Sequence, residues 1–206
     1  RFGDYASPQY GTIKSSENYE RRFIMTFPNE TLPKGRKQKT TALYDRFVDQ
    51  GAVMGDSFGL ENVLWFANNK EDAHEEPTIK RSRSHNYVSK EVINVRENVG
   101  VIEVANFSKH EFKGPDARKF LDHVMAGRLP KPGRISLSPM LSYRGKLYGD
   151  LTVACFDENE FMVFGSGAAQ EMHRRWFESH INKFNLTYKN RSDEFHGLSI
   201  AGPNSR

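Results

Sequence analysis

The stretch ISLSPMLSYRGKLYGDLTVACF (residues 135–156) predicts two β-strands joined by a turn. Residues 135–141 and 147–156 are rich in branched and aromatic side chains that alternate with small or polar ones, as is typical of strands. The intervening SYRG at 142–145 has the composition of a turn. A connection this short cannot carry a crossover, so the two strands are expected to pair in antiparallel fashion.

The rest of the chain adds helices and further short strands. Valines at 88, 92, 95 and 99 recur at helical spacing and predict an amphipathic helix. The predicted helices lie at about 15–22, 41–50, 88–99, 115–125 and 168–181, and the predicted strands at about 23–27, 101–105, 109–113, 160–164, 186–189 and 195–201. Because most connections are too short for crossovers, the pattern indicates an α+β fold with mainly antiparallel sheets.

Composition indicates a globular chain with an ordinary hydrophobic core. Of 206 residues, 37% are hydrophobic and 27% are charged. The longest apolar runs, such as FMVF at 161–164, are too short to cross a bilayer, so no membrane segment is expected. The net charge is +4, and the basic run KGRKQK at 34–39 contains no aromatic residues. This run is interpreted as a solvated loop, and nucleic acid is not expected as a partner.

A short motif occurs twice in the chain. GPDAR at 114–118 recurs as GPNSR at 202–206, and each copy follows a predicted strand. Each offers a glycine for a tight turn and a proline suited to the first turn of a helix. A strand without a covering helix would expose its apolar face, so the repeat predicts that the chain is an internal piece of a larger soluble enzyme. The piece alone is expected to be inactive.

Asp150 is the residue that the pattern singles out for chemistry. It lies in a run that otherwise predicts a buried strand, where an unpaired carboxylate is costly. The preceding Gly149 would let a ligand approach the backbone closely. Asp150 is therefore expected to accept hydrogen bonds from a bound amine or to relay a proton. The alternative is a solvated or arginine-paired aspartate near a turn.

Other candidate motifs point to structure rather than chemistry. GSGAA at 165–169 lacks the third glycine of a dinucleotide-binding loop, so it is interpreted as a helix cap whose backbone amides could still face a ligand. His173 and His180 show no metal-binding pattern, so no metal site is predicted and both are expected at the surface or at an interface. The single Cys155 excludes an internal disulfide and indicates a reducing compartment.

Several motifs together resemble the dimethylglycine and sarcosine dehydrogenase family. The first part of the chain resembles that family's central linker domain. The motifs that carry this resemblance are RFGDYA at 1–6, FPNETLP at 27–33, TTALYDR at 40–46 and GAVMG at 51–55. The second part resembles the start of its folate-binding domain, which is similar to the glycine-cleavage T-protein. The motifs there are NFSK at 106–109, GP at 114–115, LDH at 121–123, LPK at 129–131, SPML at 138–141, GKLYGDLTV at 145–153 and AGPNSR at 201–206.

The resemblance implies a specific organisation and chemistry. Residues 1–58 would be the linker domain and residues 59–206 the first, truncated part of the folate-binding domain. An upstream FAD domain of the same polypeptide would oxidise a small N-methyl amine, and tetrahydrofolate would capture the one-carbon unit as methylene-tetrahydrofolate. Asp150 matches the family's acidic folate-site residue, and Met125 and Leu141 would line the pterin pocket. The enzyme would be cytoplasmic in a bacterium or in the mitochondrial matrix of a eukaryote.

Two other readings of the same motifs stay open at this point. The first is a non-catalytic or regulatory module that keeps the T-protein fold for folate binding. The second is a folate-dependent aminomethyltransferase or demethylase without a flavin. The acid at position 150 favours catalysis over the first, and the linker-like first part of the chain argues against the second.

Overall fold

The computed structural model describes residues 7–28, 30–104 and 106–206 and places them in two compact units. The first unit comprises the chain up to Glu103 together with Leu198–Arg206, and the second comprises Val104–Gly197. The helices are α1 (Pro8–Glu20), α2 (Tyr44–Asp49), α3 (Ser84–Glu97), α4 (Ala117–Val124) and α5 (Gln170–His180). The strands are β1 (Ala52–Ser57), β2 (Leu60–Phe66), β3 (Gly100–Glu103), β4 (Phe107–Lys113), β5 (Arg134–Leu141), β6 (Leu147–Asp157), β7 (Glu160–Ser166), β8 (Thr187–Asn190) and β9 (Leu198–Ala201).

The second unit is built on a five-stranded sheet. Its strand order is β5-β6-β7-β4-β8, and every neighbouring pair is antiparallel. The hairpin expected from residues 135–156 is formed by β5 and β6, with Ser138 opposite Leu151. Mixed helices and antiparallel sheets confirm the predicted α+β fold.

One face of this sheet carries the hydrophobic core of the second unit. The α4 residues Phe120 and Leu121 and the α5 residue Phe177 are fully buried. They pack with inward-facing strand residues such as Leu151 and Phe112. Because side chains alternate along a strand, the neighbours of these core residues lie on the opposite face. That opposite face is where the candidate site forms.

The first unit contains a hairpin, β1-β2, and a separate two-stranded sheet, β3-β9. Trp65 is buried and stacks on Tyr87 of α3, with ring centroids 4.8 Å apart. The basic run at 34–39 is engaged rather than freely solvated. Arg36 donates to the buried carboxylate of Glu61 and to the Met54 carbonyl.

The predicted strand at 23–27 is wrong. These residues form a turn and an irregular segment after α1, and the Ile24 amide donates to the Arg21 carbonyl. Phe23 is 92% exposed and Met25 is 69% exposed. An apolar run forms a strand only where a partner strand satisfies its backbone. No strand within residues 7–28, 30–104 and 106–206 pairs with this segment. The end of the predicted strand at 101–105 lies outside the described residues, as does the motif at 1–6.

The repeated glycine-proline motif has the same local conformation in both copies. Gly114 has φ 140° and Gly202 has φ 131°, values in the region that favours glycine. In each copy the glycine carbonyl accepts a hydrogen bond from the amide three residues on, at Ala117 and at Ser205. The two turns are therefore structurally equivalent, as the repeat predicts.

Candidate functional site

An open pocket lies on the sheet face opposite α4 and α5. Its volume is about 520 Å³, within the usual range of ligand sites. The described residues that line it are Asn106, Phe107, Asp150, Thr152, Phe164, Gly165, Ser166 and Gly167. Strand pairing brings them together, because Thr152 pairs with Phe164 and Ser166 pairs with Phe107.

Asp150 reaches the pocket because of the alternation along β6. Leu151 and Val153 are fully buried against the helices, so Asp150 and Thr152 lie on the outer face. Asp150 is exposed, and among the described residues no hydrogen bond or ion pair engages its carboxylate. Its two oxygens are therefore available to accept hydrogen bonds from a ligand.

The other walls of the pocket are formed by two aromatic rings and by the glycine-rich segment at 165–167. Phe164 is half-buried and Phe107 is 49% exposed, so both rings are accessible to a flat ligand. β7 ends at Ser166, and a short 3₁₀ turn over Gly167–Ala169 leads into α5. The GSG segment expected to cap that helix therefore also borders the pocket.

Met125 and Leu141 are placed away from the walls just described. Met125 is 6% exposed and belongs to the hydrophobic core, where it forms an isolated bridge with Met140. Leu141 ends β5 and is 38% exposed. Their assignment to a pterin pocket stays a prediction.

A buried polar cluster lies on the helix side of the sheet, behind the pocket. Ser108, His110 and His173 are each at most 2% exposed. Nδ1 of His110 and the Tyr188 hydroxyl are hydrogen-bonded at 2.8 Å. Ser108 Oγ, His110 Nε2 and both ring nitrogens of His173 have no hydrogen bond of ordinary geometry among the described residues. A cluster of this kind demands a physical reason, because burying unpaired polar atoms is costly.

Burial keeps both histidines of this cluster neutral. It lowers the pKa of His110 to about 3, and the neighbouring His173 acts in the same direction. Burial also lowers the pKa of His173. The expected surface position of His173 is wrong, since α5 turns it and Phe177, four residues on, toward the sheet. His110 lies two residues before the apolar Phe112 on β4, so both side chains face the same side of the sheet. This spacing could have predicted from the sequence that His110 is buried.

The described part of the chain shows neither a metal site nor a membrane-spanning helix. Among the residues described, no group of three or more histidine, cysteine or acidic side chains could hold a metal ion. Within the same residues, no helix is both long enough and apolar enough to cross a membrane. Cys155 is buried, and burial raises its thiol pKa.

Comparison with known proteins assigns the chain to a family. Residues 43–206, most of the chain, match the GCVT N-terminal domain family. The chain belongs to the GCVT N-terminal domain family. A solved structure, the glycine cleavage system aminomethyltransferase T from Bartonella henselae, has the same fold, with a TM-score of 0.63 at 20% identity over 81% of this chain and 41% of that one.

Curated relatives of this GCVT-type chain are enzymes. Mitochondrial dimethylglycine dehydrogenases from Rattus norvegicus and Mus musculus are 32% and 33% identical over the whole chain, which confirms the family resemblance. The aminomethyltransferase of Staphylococcus epidermidis is 26% identical over 82% of the chain. The chain spans 24% of the length of these dehydrogenases and 42% of that aminomethyltransferase.

Proposed function

We propose that the Asp150 pocket binds tetrahydrofolate and takes part in capturing a one-carbon unit as methylene-tetrahydrofolate. The observation that carries this proposal is a carboxylate that no other described residue engages, in an open, aromatic-walled pocket. Relatives named dimethylglycine dehydrogenase and aminomethyltransferase support a one-carbon role.

The residues present suit a reduced pterin. A flat heterocycle can stack on Phe164 or Phe107, and its ring N–H groups can donate to Asp150. The hydroxyls of Thr152 and Ser166 add polar contacts in the same pocket. A few polar groups among apolar walls are typical of small-molecule sites.

Asp150 has a direct chemical role in this proposal. Bound tetrahydrofolate would supply the amine nitrogen that adds to the iminium carbon, whose C=N π electrons would pass to the substrate nitrogen. The folate nitrogen would then carry the positive charge and a proton to be removed, and the demethylated amine would leave with a proton as the second folate nitrogen closes the methylene bridge. A carboxylate at this position stabilises the charge and accepts the proton. Holding the amine in place also favours capture over hydrolysis of a reactive iminium.

We further propose that the full-length enzyme oxidises a small N-methyl amine such as dimethylglycine or sarcosine, with FAD held by another domain of the polypeptide. In that enzyme residues 1–58 would be the linker and residues 59–206 the start of the folate domain. The enzyme would work in the bacterial cytoplasm or the mitochondrial matrix. The amine and folate would be its small-molecule partners.

The test is Asp150→Asn in the full-length enzyme. Methylene-tetrahydrofolate formation is expected to fall by about 10²-fold or more, as for loss of a general acid-base group, while amine oxidation is largely kept. Asp122→Asn is the matched control, because Asp122 is an exposed aspartate on α4, outside the pocket lining. Equal loss of both activities, or loss of neither, would contradict the role of Asp150. Absence of amine oxidation in the unmodified enzyme would favour a flavin-free aminomethyltransferase.

A further inference from the structure

Two glycines leave a gap in the sheet at the candidate site. Gly149 immediately precedes Asp150 on β6, and Gly165 lines the pocket on β7. Side chains at both positions would point to the helix side, because Leu151 and Val163, two residues away on the same strands, are buried there. The helix side of the sheet therefore carries no side chain at these two positions.

The imidazole of His173 lies beneath both glycines. A Cβ atom on Gly149 would lie 2.7 Å from Nε2 of His173, and a Cβ atom on Gly165 would lie 2.9 Å from Nδ1 of the same ring. Both distances are below any normal carbon–nitrogen contact. His173 therefore occupies the volume that a side chain at Gly149 would take. At Gly165 it shares that volume with Leu151, whose Cδ2 would lie 2.5 Å from the new Cβ atom, and with Ser108, whose Oγ would lie 3.0 Å from it. The ring thus packs against two neighbouring strands of the site at once.

Stability does not account for a histidine at this position. The ring is 2% exposed, and its nitrogens have no hydrogen bond of ordinary geometry among the described residues. The Tyr148 backbone lies close enough to favour the protonated ring, but burial outweighs it and lowers the pKa of His173. Burying an amide or hydroxyl group without a hydrogen bond costs about 1–3 kcal/mol in proteins. Leucine or phenylalanine would avoid a penalty of this kind, so the shape of the site gives a better reason for the ring than its contribution to folding.

We propose that His173 is a positioning residue for Asp150, acting through the backbone of the two glycines above it. This inference rests on the proposed folate site. The imidazole sets the height and tilt of β6 at Gly149, and through it the direction in which Asp150 projects into the pocket. Its contact with Gly165 fixes the adjoining strand at the same level. Glycine is required at position 149 because the ring approaches the backbone so closely there, whereas at position 165 Leu151 would exclude a Cβ atom even without the ring.

The first test removes the ring and then replaces its volume in the full-length enzyme. His173→Ala is expected to raise the KM for tetrahydrofolate about tenfold or more while amine oxidation is kept. His173→Leu refills much of the volume without ring nitrogens and is expected to recover most of this loss. Phe177→Ala is the matched control, because Phe177 is fully buried on the same face of α5 but packs on Phe112, with ring centroids 5.0 Å apart. It is expected to lower the unfolding temperature and leave the KM unchanged.

The second test substitutes Gly149 itself, so that the conclusion does not depend on whether the His173 variants fold well. Gly149→Ala is expected to weaken folate use about tenfold, because its Cβ meets Nε2 of His173. Combining it with His173→Ala removes this clash, so the double variant should perform better than Gly149→Ala alone. Additive losses, or a His173→Ala enzyme that is less stable with an unchanged KM, would overturn the positioning role. If Asp150→Asn also leaves folate use intact, the proposed function itself fails.

Discussion

Replacing His110 with phenylalanine is expected to make the chain markedly more resistant to acid. His110 is fully buried, and burial holds its pKa at about 3, against an ordinary value of 6.5. Because the folded-state pKa is the lower one, the unfolded chain takes up the proton first as the pH falls. The stability that the neutral ring contributes is thus present above about pH 6.5 and is lost progressively as the pH falls toward 3.

The size of this effect follows from linkage. Between pH 7 and pH 4.5, a site with these two pKa values loses roughly 2.5 kcal/mol of unfolding free energy. His110→Phe removes that loss and keeps an aromatic ring against Phe177, whose centroid is 5.1 Å away. At neutral pH the variant should differ by only about 1 kcal/mol, since it loses one hydrogen bond to Tyr188.

Urea unfolding of the chain, followed by circular dichroism at a series of pH values, measures the difference directly. Carboxylates that titrate in the same range contribute equally to the unfolding free energy of both proteins, so their contribution cancels in the difference. His173 remains in both, so its own titration also largely cancels. Identical pH dependence in the two proteins would refute the reasoning, because it would mean that His110 can be protonated in the folded state at little cost.

Three further substitutions test the packing that supports the site, each by the free energy of unfolding. Phe120→Ala, in the fully buried core, should cost about 3–5 kcal/mol, and a cost below about 1 kcal/mol would show that the core does not depend on this ring. Gly114→Ala should destabilise by more than about 1 kcal/mol, because φ is 140° and the new Cβ would lie 2.7 Å from the Leu186 Cα. Arg36→Ala should cost about 3–5 kcal/mol by leaving the buried Glu61 carboxylate unpaired, and Arg36→Ala combined with Glu61→Gln should cost less.

Much of the fold could be predicted from local patterns. The alternation along residues 147–156 predicts β6, and it also dictates that Asp150 and Leu151 face opposite sides. Glycine-proline pairs predicted two turns of equal conformation. The apolar run at 23–27 failed because a strand depends on a partner, which no local pattern supplies.

The sequence by itself determined the order and type of most elements and the family that the motifs resemble, because these depend on residues close together in the chain. It placed Asp150 in a run predicted to be buried, whereas the structure leaves this residue exposed. Only the tertiary structure decided that Phe107 and Phe164 share a pocket with Asp150, and that His173 packs beneath Gly149 and Gly165. Strand order in the sheet and the rotation of α5 bring these distant residues together. Both are fixed by burial of the whole core rather than by any short segment.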